Sequence, residues 1–346
     1  MKDCRHGDGP NEGSVRAIAA FSGGLDSILA AALVRRAGVA VTLLHVRHLW
    51  SGGPEAERRV QAAASCIHLP LRTIDATVDH LEVVRYPKHG YGAGVNPCID
   101  CHIFILKVAK RVMEQEGAHF VVSGEVLGQR PKSQHLRALL DVSEESGLGD
   151  RLVRPLSANL LPDTLPVQQG WLRREDLLFI QGRGREAQIA LAARLGIEHF
   201  PQPAGGCLLT EKVYAARVRD AFRHAGRDRI GVAEFELLRR GRHFRLSERV
   251  KVIVGRDEEE NAQLARLAGD RIRIEPVDVM GPTVLVEGSP TDDDVALAGA
   301  LGARYGDHAG AARVRLKVLR CGDEEIIEVV PLDPADPRLP AWRIGP

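Results

Sequence analysis

The stretch AIAAFSGGLDS at residues 17–27 decides the fold of this chain. An apolar run ends in Ser-Gly-Gly-Leu-Asp-Ser, and an Ala- and Leu-rich helical pattern follows over residues 28–37. This order predicts a strand, a tight loop and the N-terminus of a helix. Glycines let the backbone approach a bound group closely, and free N–H groups at a helix start favour an anion. The loop therefore predicts a phosphate site, although it lacks the lysine of the common Gly-x-x-x-x-Gly-Lys-Ser/Thr loop.

Apolar runs continue to alternate with helical patterns as far as about residue 197. Predicted strands cover residues 15–21, 39–46, 71–76 and 119–123, and predicted helices cover residues 27–37, 55–67, 101–116 and 188–195. Continuous apolar strands separated by helices indicate a parallel sheet that is covered on both faces. We therefore expect an α/β fold with a doubly wound parallel sheet, in which ligands lie beyond the carboxyl ends of the strands.

The pattern of apolar residues changes after residue 230. Short β-like runs occur at residues 250–254, 272–274, 284–286, 314–319 and 326–330, with a helical pattern at 258–267. We expect a second, smaller α+β domain in this region. The predicted organisation is a disordered tail at 1–14, a first domain at 15–207, a linking segment at 208–230, a second domain at 231–333 and an irregular tail at 334–346.

Composition excludes several classes of protein. A chain of 346 residues with 44% hydrophobic residues and a net charge of +1 is typical of a soluble globular protein with about two domains. No window holds eighteen consecutive apolar residues, and residues 1–12 lack the apolar segment of a signal peptide. We expect a cytoplasmic enzyme without membrane association, on which any nucleic-acid surface is a local patch.

Three of the six cysteines are candidates for a single site. Cys98 and Cys101 form a Cys-x-x-Cys pair at the start of a predicted helix, whose dipole is expected to lower the thiol pKa, and Cys207 lies in a glycine-rich loop. Three thiolates leave one position open, as in an iron–sulfur cluster that binds an external ligand, whereas four would favour structural zinc. For Cys98 and Cys101 alone, a redox dithiol or half of a zinc site is the alternative.

Several longer motifs resemble the tRNA-thiolating branch of the pyrophosphate-loop (PP-loop) superfamily. They are SGGLDS at 22–27, NPCIDCHIFILK at 96–107, SGEVLGQRPKSQ at 123–134, RPLSANLL at 154–161 and PAGGCLLT at 203–210. The chain is similar to a bacterial group of 4-thiouridine and 2-thiouridine synthetase-like proteins. In that group this HUP-like domain is followed by an NFACT-R-type RNA-binding domain, which corresponds here to the region around residues 239–254. The resemblance implies an ATP-dependent tRNA sulfurtransferase that adenylates a nucleobase oxygen and replaces it with sulfur.

The resemblance also implies roles for individual residues. ATP is expected at residues of the loop and the strand ends, namely Phe21, Ser22, Gly23, Gly24, Asp26, Ser27, His45, Gly124, Glu125, Arg130 and Arg154. Asp26 is expected to help bind Mg²⁺ and to take part in catalysis together with the cysteines. Cys98, Cys101 and Cys207 match the ligands of a 4Fe–4S cluster whose open iron holds sulfide. For Arg130 and Arg154, the alternative to phosphate or RNA contact is a salt bridge to a neighbouring carboxylate.

An RNA-contacting surface is expected in the second domain. The predicted contact residues are Arg239, Arg240, Arg242, Arg245 and Lys251. Phosphate contacts by such residues give affinity and salt dependence but little base specificity. The alternative is an ordinary solvated surface of a chain that is rich in arginine.

The expected partners are tRNA and a sulfur donor, which is either a cysteine desulfurase or free sulfide. One alternative is a persulfide relay that uses two of the same cysteines without a cluster. A second alternative is an ATP-pyrophosphatase that acts on a small-molecule acceptor. A third is a non-enzymatic RNA-binding adaptor that uses ATP only as a structural ligand.

Overall fold

A computed structural model describes residues 15–200, 206–307 and 311–345. The chain divides into two compact units, of which the first contains Met1–Gly92 and Asn96–Cys207 and the second contains Ala93–Val95 and Leu208–Pro346. The tail predicted at residues 1–14 and residues 203–205 of the glycine-rich loop lie outside the described residues.

The first unit alternates strands and helices along the chain. Its elements are β1 (Arg16–Ala20), α1 (Leu25–Arg36), β2 (Ala40–Arg47), α2 (Gly53–Cys66), β3 (Leu71–Asp75), α3 (Asp79–Arg85), α4 (Cys98–Glu116), β4 (Phe120–Val122), α5 (Leu136–Glu145), β5 (Leu152–Val153), α6 (Leu165–Gln168) and α7 (Glu186–Arg194). The strands form one sheet in the order β3-β2-β1-β4-β5, and all four pairings are parallel. The predicted doubly wound α/β fold is confirmed.

Side chains on opposite faces of this sheet belong to separate hydrophobic clusters. On β1, Ala17 and Ala19 pack with Ile28 of α1, whereas Ile18 packs in the cluster that contains Ala109 and Val112 of α4. Successive residues of a strand point to opposite faces, so helices on both sides need strands that are apolar throughout. This requirement explains why the strands of this unit read as continuous apolar runs.

The order of the strands reverses between β1 and β4, which start the two halves of the sheet. Ligands of open α/β sheets bind beyond the carboxyl ends of the strands at such a switch point. The 22–27 loop follows β1 and the segment at residues 123–129 follows β4, so both predicted motifs lie at this point.

Gly124 permits a close approach between these two segments. A Cβ atom at position 124 would lie 2.7 Å from the backbone carbonyl carbon of Asp26 and 2.7 Å from the backbone nitrogen of Ser27. Glycine is therefore the residue that allows the end of β4 to pack against the first turn of α1.

The second unit contains an antiparallel sheet. Its elements are α8 (Lys212–His224), α9 (Val232–Leu237), β6 (Arg242–Ser247), β7 (Val250–Val254), α10 (Glu258–Leu267), β8 (Ile272–Pro276), β9 (Val284–Gly288), α11 (Asp292–Ala303), β10 (Val314–Arg320), β11 (Asp323–Val329) and α12 (Leu339–Trp342). The strand order is β11-β10-β8-β9-β7-β6, and every pairing is antiparallel. The expected α+β architecture of the second domain is confirmed.

The structure departs from the expected organisation of this half of the chain in several places, which include α9 and β6. Residues 208–230, expected as a linking segment, contain α8 and belong to the second unit. Part of the expected irregular tail forms α12, whose Trp342 packs against the core of the second unit. Helix α11 was not expected because glycines interrupt its pattern. A Cβ at Gly302 would collide with Val284 and one at Gly299 with Leu316, so these glycines let α11 pack closely on the sheet.

Among the described residues, no helix is both long enough and apolar enough to cross a lipid bilayer.

We predict that Gly124→Ala destabilises the first unit by about 1–3 kcal/mol, the usual cost of overpacking, because the atoms that face the new methyl group are backbone atoms. Urea unfolding monitored by circular dichroism measures the change. Gly184→Ala is the control, since a Cβ there would meet only the flexible carboxylate of Glu186. Equal losses in the two variants would contradict the close approach at Gly124.

Candidate active site and RNA interface

The 22–27 loop is held by its own hydrogen bonds. The Ser27 hydroxyl donates to the carbonyl oxygen of Gly24 at 2.8 Å, and the Gly24 N–H donates to the Ser22 hydroxyl at 3.3 Å. Gly23 has a φ of +72°, and a Cβ there would lie 3.0 Å from Cα of Val60. Helix α1 starts at Leu25 without a side-chain cap among the described residues, so its first N–H groups remain for an anion.

Asp26 presents one unpaired carboxylate oxygen at this loop. The Gln129 side-chain amide donates to Oδ2 at 3.0 Å. Oδ1 is buried and has no hydrogen-bond partner among the described residues. Buried carboxylate oxygens are normally paired, and Mg²⁺ takes carboxylate oxygens together with phosphate oxygens. The donor set at Asp26 therefore fits the predicted metal ion.

His45 and Phe21 lie at the same edge of the sheet and contact each other. His45 Nδ1 lies 3.1 Å from the carbonyl oxygen of Phe21, and Nε2 is buried without a partner in the described part of the chain. Burial lowers the pKa of His45, so its imidazole is neutral at pH 7.

Glu125 is the centre of a buried ion-pair network. Arg154 Nε donates to Oε2 of Glu125 at 2.9 Å, and His102 Nδ1 lies 2.6 Å from Oε1. The other Arg154 nitrogens donate to the Ser143 hydroxyl and to the carbonyl oxygen of Leu139. Burial alone raises the pKa of Glu125, but Arg154 and His102 outweigh it and lower this pKa to about 2. For Arg154, the structure therefore shows a salt bridge, which was the alternative to phosphate or RNA contact. The Arg154 side chain is only 4% exposed.

Arg130 differs from Arg154 because it is exposed and forms no ion pair with any described residue. Its positive charge counteracts the effect of burial on the pKa of the Cys98 thiol. Arg130 therefore lies near the sulfur residues and remains available to an anionic ligand.

The structure brings Cys98, Cys101 and Cys207 close together within the first unit, and none of the three forms a disulfide. Burial raises the pKa of Cys98, and burial together with the nearby Cys207 and Cys98 raises the pKa of Cys101 well above its ordinary value. The prediction of lowered thiol pKa values is wrong for this pair. Loss of hydration outweighs the effect of the α4 N-terminus.

A short path joins the cysteines to the 22–27 loop. Cys101 is followed in α4 by His102, which contacts Glu125. Gly124, which precedes Glu125 in the chain, lies against the backbone of Asp26. The thiols and the predicted phosphate site therefore occupy adjoining parts of one sheet edge.

Four of the five predicted RNA-contact residues are held in ion pairs. The pairs are Arg239–Glu236, Arg240–Glu236, Arg245–Asp220 and Lys251–Glu287. The Lys251 side chain is only 4% exposed, and Glu287 neutralises its charge inside the second unit.

The fifth residue, Arg242, lies in a different environment. Its guanidinium carbon is 4.5 Å from the ring centroid of Tyr305, and that of Arg304 is 4.7 Å from the same centroid. Neither arginine pairs with a carboxylate among the described residues. The two guanidinium groups therefore share one aromatic ring, and no described carboxylate neutralises either charge.

Two family models match this chain. The model of the thiamine biosynthesis protein (ThiI) family matches residues 13–158, and that of the NFACT protein RNA binding domain (NFACT-R_2) matches residues 241–343. The chain combines a ThiI-type PP-loop domain with an NFACT-R_2 domain. The resemblance deduced from the sequence motifs is confirmed for both domains.

Individual relatives match more distantly. A tRNA-specific 2-thiouridylase MnmA from Xanthobacter autotrophicus is 28% identical over 209 residues, which cover 55% of this chain and 49% of that protein. The match thus spans about half the length of this curated relative. A solved 4-thiouridine synthetase–RNA complex with bound ATP gives a TM-score of 0.37 at 20% identity, covering 54% of this chain and 43% of that one. The C-terminal part of a fibronectin/fibrinogen-binding protein from Streptococcus suis gives 0.26 at 15% identity, covering 52% and 84%.

The sequence motifs did not identify every residue at these two sites. In the ThiI-type domain, the sequence signal for His102 is its position directly after the Cys-x-x-Cys pair. In the NFACT-R_2 domain, Arg304 and Tyr305 are distant in sequence from Arg242, so only the fold brings them together.

We predict that Glu125→Gln destabilises the ThiI-type domain by about 3–5 kcal/mol at pH 7, because it leaves the buried Arg154 without its charged partner. Urea unfolding measures the change. Asp176→Asn is the matched control, since it removes an exposed ion pair with Arg173 and is expected to cost about 1 kcal/mol or less.

The same pair predicts a pH dependence. The pKa of Glu125 is lowered in the folded state, so its contribution to stability is present above the ordinary value of 4.5 and is lost as the pH falls towards about 2. The difference in stability between wild type and Glu125→Gln should shrink over this range. A difference that stays constant between pH 5 and about 2 would argue against the ion pair.

Proposed function

We propose that this protein is an ATP-dependent tRNA sulfurtransferase that replaces a nucleobase oxygen with sulfur. The observation that carries the proposal is the path from Cys101 through His102 and Glu125 to Asp26 of the 22–27 loop. This path supports sulfur chemistry beside a site for ATP. The matches to the ThiI family and to an RNA-binding domain support RNA as the acceptor.

The reaction would proceed in two steps at this edge of the sheet. The oxygen of a uridine or cytidine attacks the α-phosphorus of ATP, a P–O bond forms, and pyrophosphate leaves. Sulfur then adds to the base carbon, the C–O bond breaks, and AMP leaves. The 22–27 loop would bind the phosphates, Asp26 would ligate Mg²⁺, and Arg130 would neutralise phosphate charge near Cys98.

His102 would act beside the reacting base. Its Nδ1 is bound to Glu125, so Nε2 is the nitrogen left to exchange a proton. The lowered pKa of Glu125 keeps this carboxylate ionised, so that it can orient the imidazole of His102 through Nδ1. We infer that His102 accepts a proton as the oxygen of the base becomes bonded to phosphorus.

For the sulfur, we favour a 4Fe–4S cluster held by Cys98, Cys101 and Cys207. Three grouped thiols fit this ligand set, and such a cluster would supply an iron position at which sulfide is held. The raised pKa values of Cys98 and Cys101 also favour it, because a persulfide relay needs a thiolate at neutral pH, whereas metal coordination displaces the thiol proton. Anaerobic purification is expected to yield iron in wild type and none in Cys207→Ala. A colourless wild type without iron after reconstitution would instead favour the relay.

The partners would be tRNA and a sulfur donor, either a cysteine desulfurase or free sulfide. In the NFACT-R_2 domain we centre the RNA contact on Arg242, Arg304 and Tyr305. The ion pairs of the other predicted residues make them weaker candidates, and burial makes Lys251 the weakest.

We predict that thionucleoside profiles of tRNA lose one thiolated base in cells without the gene. Complementation with Asp26→Asn should restore at most about 1% of the modification, because loss of one charge-stabilising group typically costs 100-fold or more. Mass spectrometry of digested tRNA measures it. Complementation with Cys66→Ser, at an exposed cysteine, is the control and should restore the modification. A profile that does not change on deletion would overturn RNA thiolation and favour a small-molecule acceptor.

We predict that Arg242→Gln together with Arg304→Gln weakens tRNA binding and lowers its salt dependence. Each phosphate contact removed should reduce the slope of log K against log salt by about 0.7–0.9. Fluorescence anisotropy at several salt concentrations measures both. The matched control, Arg320→Gln, changes the charge of an arginine in the same unit that pairs with Asp292. If both substitutions had the same effect as the control, the RNA contact would lie elsewhere.

A further inference from the structure

Two histidines that are not among the proposed cluster ligands lie close to Cys101. His48 follows β2, His80 lies in α3, and Cys101 lies in the first turn of α4. One nitrogen of each histidine and the sulfur of Cys101 all lie within 4.8 Å of one another. His80 Nε2 is 3.2 Å from Cys101 Sγ. Three separate elements thus bring two imidazoles and a thiol to one point.

His80 has an unusual environment for a polar residue. It is 1% exposed, its ring stacks on His48 with centroids 4.2 Å apart, and the rings of Trp50 and Phe104 also contact it. Its Nδ1 has no hydrogen-bond partner among the described residues. Nε2 is the ring nitrogen that faces Cys101, so an ion at this point would bind His80 through Nε2.

The donor set selects a class of ligand. Two imidazole nitrogens and one thiolate suit zinc and similar borderline ions, and three protein ligands leave a fourth position for water or another ligand. Zinc bonds of about 2.0–2.3 Å place tetrahedral ligand atoms roughly 3.3–3.8 Å apart. Donors that lie up to 4.8 Å apart would approach by up to about 1–1.5 Å, and the two rings would tilt out of their stack so that both lone pairs converge.

The protonation states agree with ligation by the imidazoles. Burial lowers the pKa of His48 to about 4 and that of His80 to about 3, so both are neutral at pH 7. Cys101 carries its proton, and an ion that binds would displace it: the S–H bond breaks, the metal–sulfur bond forms, and the proton passes to solvent. No oxidation or reduction is involved.

We propose that His48, His80 and Cys101 form a mononuclear site for one zinc-like divalent cation. Because Cys101 is shared, this ion and the three-cysteine cluster exclude each other. The exclusion rests on the proposed function, whereas the cation site itself does not. The site provides a way for zinc to prevent cluster assembly on this protein.

The test uses full-length protein that has been stripped with a chelator, kept reduced and titrated anaerobically with Co²⁺. The variant Cys98→Ser with Cys207→Ser removes two cluster ligands and keeps the proposed site. It should bind one Co²⁺ per chain and show a thiolate-to-cobalt charge-transfer band. Adding His48→Ala or His80→Ala should abolish this band or weaken binding at least tenfold. Adding His199→Ala, at an exposed histidine of the same unit, should leave the band unchanged.

Two results would overturn the proposal: no cobalt–thiolate band in the double-serine variant, or a band that survives both histidine substitutions. If His80→Ala does not fold, judged by circular dichroism, His48→Ala decides the outcome because His48 is only partly buried. The titration contains neither ATP nor RNA, so its outcome is independent of whether the protein thiolates tRNA. In wild type, prior loading with Zn²⁺ should lower the iron content after cluster reconstitution.

Discussion

The close contact between the end of β4 and the first turn of α1 is the constraint on which the first unit depends. Because residue 124 has no side chain, the segment that follows β4 lies against the backbone of Asp26 and Ser27. This contact places Glu125 where it can be reached by Arg154 from one side and by His102 from the other. His102 in turn determines where the first turn of α4, with its cysteines, lies relative to the loop. The contact at Gly124 thus links the phosphate site, the buried carboxylate of Glu125 and the thiols.

The two units use arginine in different ways, and this difference explains how a nearly neutral chain carries an RNA-binding domain. In the first unit, Arg154 forms an ion pair with the buried carboxylate of Glu125. In the second unit, acidic partners hold most of the basic cluster around β6, which stabilises the domain but leaves little free positive charge. The arginines on Tyr305 have no carboxylate partner among the described residues. Affinity for a polyanion then depends on a few unneutralised groups rather than on net charge.

Sequence reasoning was reliable where the chemistry is local. The 22–27 loop, the apolar strands and the Cys-x-x-Cys pair are each defined by neighbouring residues, so their structural context was predictable. The raised thiol pKa values were not, because they depend on how deeply the fold buries Cys98 and Cys101. The meeting of His48 with His80, and of Arg242 with Arg304, depends on elements far apart in the chain. Helix α11 was missed because its glycines, unfavourable for an isolated helix, are required by packing.

The parallel pairing of β1 with β4 also has a consequence for biosynthesis. Gln129 and Asp26, which meet in the folded protein, are 103 positions apart in the chain. A ribosome adds about 5–20 residues per second. The segment that contains Gln129 is therefore synthesised several seconds after the loop that follows β1. During this interval β1 can pair with β2 and β2 with β3, but the edge of β1 that will pair with β4 is open to other chains. Competence to bind a nucleotide would therefore not arise before residue 129 has left the exit tunnel.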